Sequence, residues 1–155
     1  MKTLILIIAF TITVYKAYSQ NSDSIRYDSI YTVLNDTTET EIWFGCGWAG
    51  AETANLHLFR TLIQNNRAGV IQKLLDSKNP ATKYLAAKTL LALKKKWPLD
   101  SIMELKINTI KGSAEAISFC SGCTVHETHA ISFLFKMKDS YFSELTDQWV
   151  EDSML

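Results

Sequence analysis

The stretch from Asn79 to Trp97, NPATKYLAAKTLLALKKKW, constrains the fold of this chain more than any other part of it. Asn79 can cap a helix, Pro80 is favoured at the first helical position, and Pro98 prevents the helix from continuing. Two apolar rows then follow the helical repeat, Tyr84, Ala87 and Leu91 in one and Ala86, Leu90, Leu93 and Trp97 in the other. Because this apolar arc is wider than a surface helix needs, the pattern predicts a central helix over Pro80–Trp97 that neighbours cover on more than one side.

Helical periodicity dominates the rest of the chain. It occurs over residues 51–65, 68–77, 102–111, 141–150 and from 126 or 128 to 138. Strand propensity is clearest at Ile42-Trp43-Phe44 and at residues 114–119, which alternate imperfectly. The segment that ends at 138 is helical in spacing but is also rich in strand formers. The sequence therefore predicts a mainly all-α domain of stacked antiparallel helical hairpins over residues 42–155, and it allows a small extended segment around 114–125.

Residues 1–19 have the pattern of an export signal. After a positively charged start, Leu4–Val14 is apolar but too short to span a bilayer comfortably, and Ala17-Tyr18-Ser19 places small residues where signal peptidase cleaves. We expect cleavage before Gln20, followed by a polar lead-in over residues 20–41. The mature protein is then exported, periplasmic or secreted, without a membrane anchor. An uncleaved anchor is the alternative interpretation.

Composition and charge limit the classes of partner. Of the 155 residues, 47% are hydrophobic and 21% charged, as in a single globular domain. Sixteen basic and sixteen acidic residues give no net charge. Cleavage of the signal removes Lys2 and Lys16 and leaves a mature protein with a net charge of −2. Such a chain lacks the basic surface that nucleic acid requires, so we predict no nucleic-acid partner.

Residues 71–93, IQKLLDSKNPATKYLAAKTLLAL, resemble the junction of two HEAT-type helical repeats. In that pattern a helix ends on a Leu-Leu pair, an Asn-Pro turn follows, and the next helix carries paired alanines and leucines. The resemblance covers about one and a half repeats, and no third copy is visible. It implies a short, HEAT-like helical-repeat domain whose surface binds another protein.

The string Gly45-Cys46-Gly47-Trp48-Ala49-Gly50 matches the G-x-G-x-x-G pattern of dinucleotide-binding turns. However, the chain shows no further βαβ units, and an exported protein has little access to nicotinamide or flavin cofactors. We therefore interpret the string as a glycine-rich turn that allows close backbone packing, and we predict no cofactor.

One segment, residues 120–129, combines two cysteines with two histidines. Cys120 and Cys123 form a C-x-x-C pair, and His126 and His129 would share a face if this segment were helical. The ligand types suit zinc, but the gap between the pairs is shorter than finger-like sites require. A redox centre also needs a βαβ setting that is not apparent here. Metal binding and thiol exchange are thus alternatives to a plain structural disulfide.

The three cysteines allow two disulfide pairings. Cys120 and Cys123 close a short loop in which Gly122 favours the turn, and this ease of formation makes them our first choice. The rival is a bridge from Cys46 to one of them. That bridge closes a much longer loop and would stabilise the fold more.

The sequence contains no recognisable catalytic motif, so we predict a protein that is not an enzyme. The leading hypothesis is an exported helical-repeat module that binds an unidentified protein or surface component. The alternative is a thiol-redox or metal-binding protein that uses Cys120, Cys123, His126 and His129.

Overall fold

The computed structural model describes residues 26–38, 40–46, 50–122, 125–137 and 141–155. The predicted export signal, residues 1–19, and the start of the polar lead-in lie outside these ranges. The helices are α1 (residues 26–34), α2 (Ala54–Gln64), α3 (Ala68–Lys73), α4 (Pro80–Ala92), α5 (Ser101–Lys111), α6 (Ile131–Lys136) and α7 (Tyr141–Asp152), with a 3-10 turn at Leu74–Asp76. The strands are β1 (Glu41–Cys46), β2 (Ala116–Gly122) and β3 (Val125–Ala130).

The three strands form one mixed sheet, so the prediction of a mainly all-α, HEAT-like hairpin domain is wrong. Strand β2 is central, parallel to β1 and antiparallel to β3. The parallel register pairs Ile42 with Phe119, and both side chains are buried. The fold therefore combines helices with a sheet. An apolar sheet face must be covered, and the helices pack on it.

Strand β3 occupies part of a segment whose spacing we interpreted as helical. The apolar residues that set this spacing are Ile131, Leu134, Phe135 and Met137. All of them lie at or beyond the start of α6, and the preceding residues 125–130 carry no apolar repeat of their own. These residues become a strand because β2 supplies the pairing partner, which is a tertiary effect.

Helix α4 is the central helix, as predicted. Asn79 caps it, since its side-chain oxygen accepts hydrogen bonds from the backbone N–H groups of Ala81 at 2.9 Å and Thr82 at 3.3 Å. Residues on every side of the helix are buried, including Tyr84, Leu85, Ala86, Ala87 and Leu90. The helix ends at Ala92, short of the predicted Trp97.

The polar lead-in contributes to the core. Its described part contains α1, from which Tyr27, Ile30 and Leu34 are buried. The backbone oxygen of Leu34 accepts a hydrogen bond from the Thr82 hydroxyl at 2.7 Å. Helix α1 is thus fixed against the N-terminal end of α4.

Tyr84 lies at the point where α4 meets the sheet and α7. Its ring packs edge-on against Phe119 and Phe135, and its hydroxyl lies 3.4 Å from the hydroxyl of Thr146. The side chain is fully buried. Burial therefore raises the pKa of the phenol well above its ordinary value, and the nearby Asp147 carboxylate acts in the same direction.

This raised pKa predicts a loss of stability at alkaline pH. The unfolded chain releases the Tyr84 proton near pH 10, whereas the folded chain retains it. The stability that the neutral Tyr84 side chain contributes is complete below pH ~10. Above that pH, the free energy of unfolding falls by about 1.4 kcal/mol per pH unit. Urea unfolding of the wild type and Tyr84→Phe across this range measures the effect. The stability difference between the two proteins must shrink as pH rises, and a constant difference would contradict the prediction.

Candidate functional site

The structure pairs Cys46 with Cys120 in a disulfide, with their Cα atoms 5.5 Å apart. This corrects our first choice, Cys120–Cys123, in favour of the rival long bridge. Cys123 lies outside the described residues. The physical reason is the parallel pairing of β1 with β2, which brings together two cysteines that are 74 residues apart in sequence.

The predicted Cys–His segment forms the β2–β3 hairpin. Cys120 is fully buried within the disulfide, so its sulfur is not available as a thiolate. His126 and His129 are both on β3, so the helical face they were expected to share does not exist. In the part of the chain that the structure describes, no group of three His, Cys, Asp or Glu residues could hold a metal ion. The metal and thiol hypotheses stay untested predictions that now require reduction of Cys120.

His129 has partners of its own. Its Nε2 atom lies 2.7 Å from a carboxylate oxygen of Glu127, and its ring stacks on that of Phe133 with centroids 5.0 Å apart. The first contact lies within β3 and the second joins β3 to α6, and together they explain the position of this histidine without a ligand.

The glycine string does not form a direct strand-to-helix turn. Gly45 has a φ of +68° at a shift in the β1–β2 register, a conformation that favours glycine. The chain then folds back, because Cys46 and Ala51 exchange two backbone hydrogen bonds of 2.7 and 2.9 Å. Residues 47–49 lie outside the described ranges. The reversal differs from a dinucleotide-binding turn, in which the helix follows directly.

Lys88 is a buried cation between α4 and α7. It is only 8% exposed, and its Nζ atom lies 2.6 Å from a carboxylate oxygen of Asp147 and 3.1 Å from the Ser143 hydroxyl. It borders a cavity of about 500 Å³. Because its charge is paired, we interpret Lys88 as a structural contact between the two helices.

A groove of about 410 Å³ runs between α5 and the turn that precedes α4. Apolar walls come from Leu75, Leu105 and Ile110. Polar residues at the same groove form two ion pairs between different elements, Lys106 with Asp76 and Lys83 with Glu115. The groove therefore has an apolar centre and a charged border, as protein interfaces do.

The outer face of α5 extends this apolar surface. Ile102 and Leu105 are 65% and 68% exposed, and Thr109 follows on the same helical face. Leu105 and Thr109 also line the groove. We call the exposed α5 face together with the groove the α5 surface.

Comparison of this chain with protein-family models, with curated proteins and with solved structures finds no match. The local resemblance of residues 71–93 to a HEAT-type junction therefore stays a prediction. Among the described residues, no helix is long and apolar enough to cross a membrane.

Proposed function

We propose that this chain is an exported protein-interaction module, not an enzyme, and that it binds a partner protein through the α5 surface. The observation that carries this proposal is the exposure of Ile102 and Leu105 beside an apolar groove. Contiguous apolar surface on a small protein marks interaction sites more often than isolated exposed residues do.

The energetic argument concerns these two side chains. Fully burying a leucine or isoleucine stabilises a complex by about 1.5–3 kcal/mol. Two neighbouring anchors of this size can supply the centre of an interface, with Lys106, Asp76 and the Lys83–Glu115 pair at its rim.

The groove geometry favours an amphipathic helix as the bound segment. Such a helix presents apolar side chains at i, i+3 and i+4 to an apolar groove. Since the border carries both signs of charge, a partner helix with acidic and basic flanking residues complements it.

Two observations support the exported location. The sequence has the pattern of an export signal, and the structure contains a disulfide. Disulfides persist in oxidising compartments and are rare in the cytosol. An extracellular or periplasmic protein is therefore the expected partner.

The test is a selection of displayed random peptides on the oxidised protein, residues 20–155. We expect the selected peptides to share apolar residues at helical spacing. They should bind Leu105→Glu at least about tenfold more weakly, because the substitution places a charge in the apolar centre. The matched control is Met154→Glu, which makes the same type of change at an exposed residue beyond α7.

Circular dichroism establishes that both variants are folded before binding is compared. Peptides that bind Leu105→Glu as tightly as the wild type would refute the α5 surface as the binding site. A selection that yields no enriched apolar spacing would refute helix recognition.

A further inference from the structure

A second cavity, of about 410 Å³, lies against β1 and the start of α2. Its lining includes Glu41 and Trp43 from β1, Glu52 and Thr53 from the segment before α2, and Thr38 and Thr40. It shares no residue with the α5 surface. The volume lies within the range of small-ligand sites.

Strand alternation explains why Glu41 and Trp43 face this cavity together. Ile42 is buried, and Phe44 packs against Phe119 with ring centroids 6.4 Å apart. Glu41 and Trp43 occupy the alternate positions, so they belong to the opposite face of β1. The indole N–H of Trp43 donates a hydrogen bond to Glu41 at 2.7 Å, which fixes the ring beside the carboxylate.

Thr53 supplies an unexplained polar group. It occupies the N-cap position of α2, where a threonine hydroxyl normally accepts a backbone hydrogen bond. Here the side chain makes no cap hydrogen bond, the residue is only 6% exposed, and its hydroxyl has no hydrogen-bond partner in the structure. Its hydroxyl is itself buried, so it would reach a ligand in the cavity only after rotation of the side chain about χ1.

Glu52 adds a second unsatisfied atom. One carboxylate oxygen accepts a hydrogen bond from the Arg60 guanidinium at 2.9 Å. The other, Oε2, is buried 3.8 Å from His57 Nδ1 and has no hydrogen-bond partner in the described part of the chain. The site thus combines two carboxylates with an aromatic ring and a hydroxyl.

The charges decide which ligand class fits. Glu41 has no cationic partner among the described residues, whereas Glu52 is partly neutralised by Arg60. Oxygen acceptors beside an aromatic ring suit a cation that can donate several hydrogen bonds. We propose that this cavity against β1, the Trp43 cavity, binds an organic ammonium or guanidinium group, such as a lysine or arginine side chain of a peptide or a free amine.

Other ligand classes fit less well. An anion would be repelled by Glu41, whose carboxylate pairs with no cation of the described residues. A purely apolar ligand would take water away from the Glu41 carboxylate without giving it a partner. A cationic donor pairs with the Glu41 carboxylate and stacks on Trp43.

The experiment follows the indole N–H resonance of Trp43 by nuclear magnetic resonance, assigned with a Trp43→Phe variant. The probes are Ac-Gly-Arg-Gly-NH2, Ac-Gly-Lys-Gly-NH2 and free ethylguanidine. We expect a saturable shift of this resonance, with dissociation constants of about a millimolar for one exposed cation–π and carboxylate contact. Stronger binding by the peptides than by ethylguanidine assigns the ligand to a protein side chain, and equal binding assigns it to the free cation.

The controls separate this recognition from nonspecific attraction. Glu41→Gln should weaken binding by about tenfold, because it removes the unpaired charge while retaining an acceptor for Trp43. The exposed Glu104→Gln on α5 should leave it unchanged. The proposal is overturned if the citrulline analogue of the arginine peptide produces the same shift, if Glu41→Gln has no effect, or if the resonance does not move.

Discussion

Replacing Cys46 and Cys120 together by alanine is expected to lower the free energy of unfolding by about 4–5 kcal/mol. The disulfide closes a loop between residues 74 positions apart, and such a loop strongly restricts the unfolded chain. Since small domains are stable by only about 5–15 kcal/mol, this loss is a large fraction of the total. Urea unfolding of the oxidised wild type and the double variant measures it.

The matched control is Cys123→Ser, which removes a thiol and retains both cysteines of the bridge. We expect its stability to change by less than about 1 kcal/mol. Peptide mapping under non-reducing conditions should recover a crosslinked pair that contains Cys46 and Cys120. A crosslink between Cys120 and Cys123, or a Cys123→Ser variant as unstable as the double variant, would contradict the bridge.

Leu90→Asp is expected to unfold the protein or to lower its free energy of unfolding by at least about 4 kcal/mol. Leu90 is fully buried on α4, so the substitution removes apolar packing and buries a carboxylate without a partner. Circular dichroism and urea unfolding measure the effect.

Leu91→Asp on the same helix is the control. The helical wheel places Leu91 in the apolar arc, but the structure leaves it half-buried at the edge of the cavity beside Lys88. A carboxylate there can reach water, so we expect the free energy of unfolding to fall by only about 1–2 kcal/mol. Equal losses of stability in Leu90→Asp and Leu91→Asp would show that α4 does not have the orientation seen in the structure.

Local chemistry made the central helix predictable. Asn79, Pro80 and the apolar rows that follow them act within a few residues of one another, so the sequence displays them directly. The strand over Ile42-Trp43-Phe44 was likewise visible from its residue types. Only the C-terminal end of α4 differs from the prediction. Trp97 lies beyond the helix and is still buried, and its indole N–H donates a hydrogen bond to Asn66.

The sheet was missed because its pairing is not local. Strand β1 pairs with a strand more than 70 residues away, and no periodicity in either segment records that contact. Strand β3 has little apolar alternation, so its conformation depends on β2. The same contact determines the disulfide, which explains why loop length alone selected the wrong partner for Cys120.

The two surfaces differ in how far sequence could reveal them. Met103, Ile107 and Ile110 form the inward face of α5, so Ile102 and Leu105 off that face are a visible signal of exposure. The Trp43 cavity gives no such signal. Its residues come from β1 and from the segment before α2, and only the tertiary structure places Glu41, Trp43 and Thr53 at one cavity.

The Cys46–Cys120 bridge has a consequence for proteolysis. It closes a covalent ring that contains α2 to α5, with the remaining segments attached as two tails. A protease that cuts one peptide bond between residues 47 and 119 opens this ring but leaves both fragments joined. The nicked protein would therefore retain both fragments until a reductant separates them, and a single cut within this ring would not release either of them.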